Sequence, residues 1–149
     1  MKPALTLATL LLATAATAAH AMPGAGAGAS TPHGAAAATA PVKKVAKATG
    51  PDARTVAEVV AGKAALKGKP VLVRAQVVKV TSGIMGKNWV HLQDGSGKAA
   101  DGTHDVIATT QDTVAVGDVV NAKGTVRTDV NIGAGYSYAV LIEDAVLRK

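Results

Sequence analysis

The chain has 149 residues, of which 48% are hydrophobic and only 2% aromatic, and it contains neither Phe nor Cys. Its apolar residues are mostly Ala and Val, which suit a thin β-sheet core better than a large enzyme core. The lack of Cys excludes a disulfide-stapled scaffold, thiolate metal sites and cysteine nucleophiles. The formal net charge is +6, but residues 51–149 hold 12 Lys and Arg against 10 Asp and Glu, so most of the basic excess precedes residue 51.

The first 50 residues predict a leader and a tether. Residues 1–21 combine a positive start, an apolar or small stretch and the small-x-small sequence Ala19-His20-Ala21, which predicts a signal peptide cleaved after Ala21. We therefore expect a periplasmic or secreted protein with no transmembrane segment after cleavage. Residues 22–50 are rich in Ala, Gly, Pro and Thr and show no apolar period, which predicts a disordered tether. Its few Lys residues could contact an anionic membrane or polymer, although a solvated linker is the favoured interpretation.

The folded domain, residues 51–149, is predicted to begin with one short helix. Thr55-Val56-Ala57-Glu58 has capping-box spacing, in which the Thr hydroxyl and the Glu carboxylate bond free N–H groups at a helix start. Gly62 weakens this helix, and Gly68 is expected to end it.

Five strands are predicted to follow. Residues 70–81 alternate between apolar and polar and then slip by one position after Val77, which is typical of a β-bulge. The other strands are predicted at residues 88–93, 104–110, 119–128 and 136–147, with a flexible loop at 131–135. Because closure removes exposed sheet edges, the pattern favours a mainly β protein built as a five-stranded barrel.

The second strand and the turn before it carry the rarest residues of the domain, including the only Trp of the chain. Side chains alternate along a strand, so Trp89 and His91 share one face while Val90 and Leu92 share the other. The residues that could border this pair are Arg74, Gln76, Lys79 and Lys87. The sequence therefore predicts a small ligand platform around Trp89.

Several segments resemble an OB-fold in their order and spacing: residues 71–80, 89–95, 116–120 and 124–126. More closely, Gly83-Ile84-Met85-Gly86-Lys87-Asn88-Trp89 and Gly133-Ala134-Gly135-Tyr136 are similar to small exported bacterial OB-fold proteins related to NrfJ, which are commonly labelled nucleotide-binding or DNA-binding. The resemblance covers roughly residues 55–147. It implies a five-stranded OB-fold barrel whose ligand binds on the face of strand two and at the loop before it.

The resemblance implies a ligand of the single-stranded nucleic acid or nucleotide type. Trp89, with Tyr136 or Tyr138, would stack on bases, and the residues around them, His91, Lys87, Arg74 and Gln76, would supply polar contacts. The small positive charge of residues 51–149 is a weak electrostatic signal for this function. An alternative for the tyrosines is that Tyr136, Tyr138, Val140 and Ile142 form one row facing the barrel interior.

Copper is the second interpretation of the same residues. A thioether and an imidazole suit Cu(I), so Met85 and His91 are candidate ligands, with the indole of Trp89 as a cation–π contact. The arrangement is similar to periplasmic copper chaperones of the CusF type, which use two Met. Here Met85 stands alone, so a further ligand would come from His104, a carboxylate or a partner. Two simpler roles stay open, a loop anchor for Met85 and a solvent-facing imidazole for His91, and a turn is favoured at His104.

A third interpretation is a module that binds a protein partner, either a copper-handling protein or another periplasmic protein. Catalysis is the least favoured class. The chain has no nucleophile elbow and no paired-His motif, and Ser82, Ser96 and Ser137 lack a recognisable base. We therefore predict a protein without enzymatic activity.

Overall fold

The computed structural model describes residues 42–149. The predicted signal peptide, and the predicted tether up to residue 41, lie outside the described residues. No helix within residues 42–149 is long and apolar enough to cross a membrane.

The described chain is mainly β-structure with two short helices. The elements in chain order are β1 (Ala53–Arg54), α1 (Val56–Ala61), α2 (Lys63–Leu66), β2 (Pro70–Ile84), β3 (Lys87–Gln93), β4 (Val106–Thr110), β5 (Val119–Gly133) and β6 (Tyr136–Arg148). Strand β4 begins two residues later than predicted. Strand β5 runs five residues further than predicted, because Asn131 and Gly133 pair with Ser137 and Tyr136, so much of the predicted flexible loop is strand.

The strands form one mixed sheet in the order β1-β2-β3-β4-β6-β5, and β2 also pairs with β5. The β1–β2 and β4–β6 pairs are parallel, and the other pairs are antiparallel. Besides the short β1, strand β2 pairs with two long strands: its first half pairs with β5 and its second half with β3, and the two pairings meet at Gln76. The predicted bulge is confirmed, since the β2–β3 register shifts between Val77 and Lys79.

The helical segment starts as its sequence indicates but divides at Gly62. Thr55 accepts a hydrogen bond from the Glu58 N–H, and the Glu58 side chain accepts one from the Thr55 N–H, which completes the capping box. A Cβ at Gly62 would lie 2.7 Å from the Glu58 carbonyl oxygen. Gly62 is the C-cap of α1 and the N-cap of α2, so the structure has two short helices where one was predicted.

The main core lies on one face of the sheet. Its fully buried members are mostly Val from every long strand, closed at one end by Val56 and Val59 of α1. The largest of them are Leu92, Val71, Val73, Val77, Val90, Val106, Val120, Val126 and Ile142. Each such side chain contributes about 1.5–3 kcal/mol when it leaves water, which is how a domain without Phe or Cys holds together.

Residues 42–50 lie along the domain as extended chain. The Val45 N–H donates to the Asp94 carbonyl oxygen at 2.9 Å, and Lys47 pairs with Glu58 at 2.7 Å. A Cβ at Gly95 would lie 2.9 Å from the Lys44 Cα. Residues 42–50, the last part of the predicted tether, therefore contact the domain at Asp94, Gly95 and Glu58.

Candidate functional site

Trp89 is buried on the sheet face opposite the main core, with only 6% of its surface exposed. The parity of β3 positions it there, since Val90 and Leu92 belong to the main core. Trp89 packs with Ile107 and Leu141 in a second apolar cluster. Its Nε1 donates a hydrogen bond to the Ile84 carbonyl oxygen at 3.0 Å, which fixes the indole against the end of the β2–β3 hairpin.

The far part of the β5–β6 hairpin covers this face; we call residues 127–140 the β5–β6 arm. Tyr138 places its ring centroid 5.2 Å from that of Trp89. Val130 and Ile132 pack on the same cluster. Asp129 has a left-handed backbone, φ 55°, at the base of the arm. The predicted platform is therefore filled by the protein's own side chains, and Trp89 presents no open stacking surface.

Two hairpin ends border the covered face and carry exposed apolar side chains. At the β2–β3 end, Ile84 is 40% and Met85 69% exposed, and at the β5–β6 end Tyr136 is 61% exposed. The predicted row of four side chains is thus divided. Val140 and Ile142 pack in the main core, Tyr138 packs in the second cluster, and Tyr136 faces solvent.

His91 lies on the face of Trp89 but is engaged by a carboxylate. Its Nδ1 lies 3.0 Å from Asp105 Oδ1, and the Gln93 amide donates to Asp105 Oδ2 at 3.0 Å. Burial alone would raise the pKa of Asp105. The hydrogen bond and charge of His91, the Gln93 hydrogen bond and the charge of His104 outweigh burial, so the pKa lies below its usual 3.8. The ionised carboxylate is therefore the form that the fold favours.

This pKa shift predicts how stability depends on pH. A carboxyl whose pKa is lower in the folded protein stabilises the fold above its unfolded pKa, and loses that contribution as pH falls through the folded value. Asp105→Asn should therefore cost stability at pH 7, and the gap to wild type should shrink below about pH 4. Urea unfolding at several pH values measures the gap. Asp129→Asn, an exposed position, is the control, and an equal pH dependence in both variants would contradict the assignment.

The basic and amide residues predicted around the platform are dispersed. Lys87 Nζ lies 2.5 Å from Asp144 Oδ1, and this hydrogen bond raises the pKa of Lys87. Arg74 lies in the first half of β2, opposite Asn121 of β5. Gln76 lies opposite Gln93 of β3. Only Lys79, cross-strand from His91, adjoins the covered face without an ion pair among residues 42–149.

The two predicted copper ligands do not come together. Met85 sits in the turn before Lys87, with φ 54°. His91 lies four residues after Lys87 in β3, about 13 Å along the strand. His104 keeps its Nδ1 buried without a hydrogen-bond partner among the described residues. No group of three His, Cys, Asp or Glu in residues 42–149 could hold a metal ion. The geometry gives the copper interpretation no support.

Two acidic residues of this region carry roles that the sequence analysis missed. The sequence analysis gives Asp105 no role of its own; the signal for its role is its parity, because it stands two residues before Ile107, which pairs with His91. Asp94 is 2% exposed and accepts hydrogen bonds from the Val56 N–H and from Ser96. Its sequence context indicates a turn, and no local pattern reveals the bond to α1.

Comparisons with protein-family models, with curated protein sequences and with solved structures find no match to this chain. The resemblance to NrfJ-related OB-fold proteins therefore stays a prediction from the sequence.

Proposed function

We propose that this protein is a non-catalytic OB-fold binding module. The observation that carries the proposal is the pairing order of the five long strands, β2-β3-β4-β6-β5, with β5 returning to β2 and with a parallel β4–β6 pair. An OB-fold is a five-stranded Greek-key barrel that binds oligonucleotides and oligosaccharides on the face of its second and third strands and at the loops beside it. Here those strands would be β3 and β4.

The ligand class we propose is single-stranded nucleic acid or nucleotide, bound at the two hairpin ends. Tyr138 covers Trp89, so the stacking role passes from Trp89 to Tyr136, the exposed aromatic at the β5–β6 end. Met85 and Ile84 add apolar contacts from the β2–β3 end. Trp89 connects the two ends, because its Nε1 donates to the Ile84 carbonyl oxygen and its ring contacts the ring of Tyr138. Lys79 supplies a cation for phosphate.

Fluorescence anisotropy with a short labelled oligothymidine tests this ligand class. Wild-type protein should bind, and its affinity should fall steeply with salt. Tyr136→Ala should raise Kd about 5- to 100-fold, the effect of losing one stacked base. Val116→Ala removes an apolar side chain that is 60% exposed in the turn before β5, and should leave Kd unchanged.

A wild-type protein that gives no anisotropy change even at low salt would defeat the nucleic-acid proposal. The exposed apolar ends would then point to a protein partner, since Tyr and Met are enriched in protein interfaces. Equal effects of Tyr136→Ala and Val116→Ala would reject the hairpin ends as the site.

Export is also part of the proposal. It is supported by the sequence of residues 1–21, whose apolar stretch and small-x-small ending are typical of a signal peptide. Detection of the mature N-terminus at residue 22 by mass spectrometry of the exported protein would test it.

A further inference from the structure

The net charge of the described residues is concentrated in one part of the chain. Residues 42–70 hold seven basic residues, Lys43, Lys44, Lys47, Arg54, Lys63, Lys67 and Lys69, against two acidic ones, Asp52 and Glu58. Residues 71–149 hold eight basic and eight acidic residues. The excess of +5 therefore belongs to the N-terminal segment, β1, α1 and α2, and the rest of the sheet domain is neutral.

These basic residues lie on connected elements. The N-terminal segment contacts α1 through the Lys47–Glu58 ion pair, and α1 contacts α2. Five Lys side chains of this region make no hydrogen bond or ion pair within residues 42–149, and we call them the basic face: Lys43, Lys44, Lys63, Lys67 and Lys69. All except the partly buried Lys63 are exposed.

The neutral part of the domain uses its charges differently. Lys87 pairs with Asp144, Arg127 with Glu143, and Lys149 with Asp118. Such exposed pairs contribute little to stability, but they cancel the local field. Some basic residues of 71–149 also lack an ion pair within residues 42–149, but eight acidic residues balance their charge, whereas residues 42–70 hold only two. The basic face therefore belongs to the part of the described chain that attracts a polyanion.

We propose that the basic face docks on an anionic phospholipid surface. Each Lys close to such a surface adds attraction that acts over about a Debye length. Residues 42–70 contain no aromatic residue, so this face offers no base-stacking surface, which favours lipid headgroups over single-stranded nucleic acid.

Vesicle flotation with the full chain tests this docking. The vesicles are phosphatidylcholine alone or phosphatidylcholine with phosphatidylglycerol. Wild type should bind the anionic vesicles more tightly, and the difference should shrink as salt rises. Lys67→Ala with Lys69→Ala should lower the affinity for anionic vesicles about 25-fold, or about fivefold per Lys. Any binding by residues 1–21 contributes equally to all variants.

The matched control is Lys98→Ala with Lys123→Ala, which removes the same charge from two exposed Lys residues that lie outside the basic face and make no ion pair within residues 42–149. The affinity of this control for anionic vesicles should stay within about twofold of wild type, which is less than the effect expected for one Lys at the lipid surface. Equal losses in the two double variants, or no preference of wild type for anionic vesicles, would overturn the proposal. If Lys67→Ala with Lys69→Ala instead abolishes oligothymidine binding and leaves vesicle binding intact, the face serves nucleic acid and the lipid proposal is rejected. Tyr136→Ala should retain vesicle binding, which separates this docking from the hairpin-end site.

Discussion

Trp89→Ala should lower the free energy of unfolding by about 3–5 kcal/mol, the usual cost of removing a large buried aromatic side chain. Trp89 joins the sheet face to the β5–β6 arm, since it packs with Ile107 and Leu141 and contacts the ring of Tyr138. Its loss leaves a cavity and frees the arm. Urea unfolding followed by far-UV circular dichroism measures the change, because the variant has no Trp to report by fluorescence.

Trp89→Phe is the matched control, because it keeps an aromatic ring in the cluster, although a smaller one, and removes the Nε1 hydrogen bond to the Ile84 carbonyl oxygen. We expect it to cost about 1–2 kcal/mol through the smaller ring and the unpaired carbonyl. The contrast between the two variants also separates two roles. A ligand platform would lose affinity with little change in stability, so a loss below about 1 kcal/mol in Trp89→Ala would contradict the buried role.

Much of the sheet was predictable because its signals are local. Side-chain parity places Trp89 and Val90 on opposite faces of the sheet, and the one-residue slip in the pattern after Val77 corresponds to the bulge. The Thr55 capping box depends on two residues three positions apart, so the sequence alone predicts it. These features need only the geometry of one strand or one helical turn.

The cover over Trp89 was not predictable in the same way. Parity tells which side chains share a face, but it does not tell whether solvent or another segment lies on that face. Tyr138, which contacts Trp89, lies 49 residues after it in the sequence. Patterns in a single sequence do not predict such a long-range contact. The site around Trp89 was therefore expected to be open, but it is filled, and the exposed side chains are Met85 and Tyr136.

Asp94 illustrates how a local signal can conceal a distant role. Asp-Gly-Ser-Gly is typical of a turn, and the carboxylate does bond the Ser96 N–H in that turn. The same carboxylate accepts the Val56 N–H at the first turn of α1, 38 residues away. The Asp94 carbonyl oxygen also accepts the Val45 N–H. One residue therefore joins the turn, the helix and the N-terminal segment.

Asp94→Ala should consequently lower the free energy of unfolding by about 2–4 kcal/mol, because it leaves the buried Val56 N–H and the Ser96 groups without their acceptor. Amide exchange at Val56 should accelerate more than the global change requires, since the Val56 N–H loses its side-chain acceptor, whereas the Val45 N–H keeps the backbone carbonyl of residue 94. Urea unfolding and amide exchange measure the two effects. Asp94→Asn keeps one side-chain oxygen and should fall between wild type and Asp94→Ala.

Asp101→Ala provides the comparison that isolates the long-range bond. Asp101 accepts hydrogen bonds from the Thr103 N–H at 3.3 Å and from its hydroxyl at 2.6 Å, as Asp94 does from Ser96. It is exposed, however, and within residues 42–149 it bonds no distant element. Its removal should cost under about 1 kcal/mol. If the two alanine variants lose equal stability, the turn alone accounts for Asp94. A larger loss of stability in Asp94→Ala assigns the difference to the buried bond between Asp94 and the Val56 N–H. The start of α1 then depends on a side chain that directly follows β3.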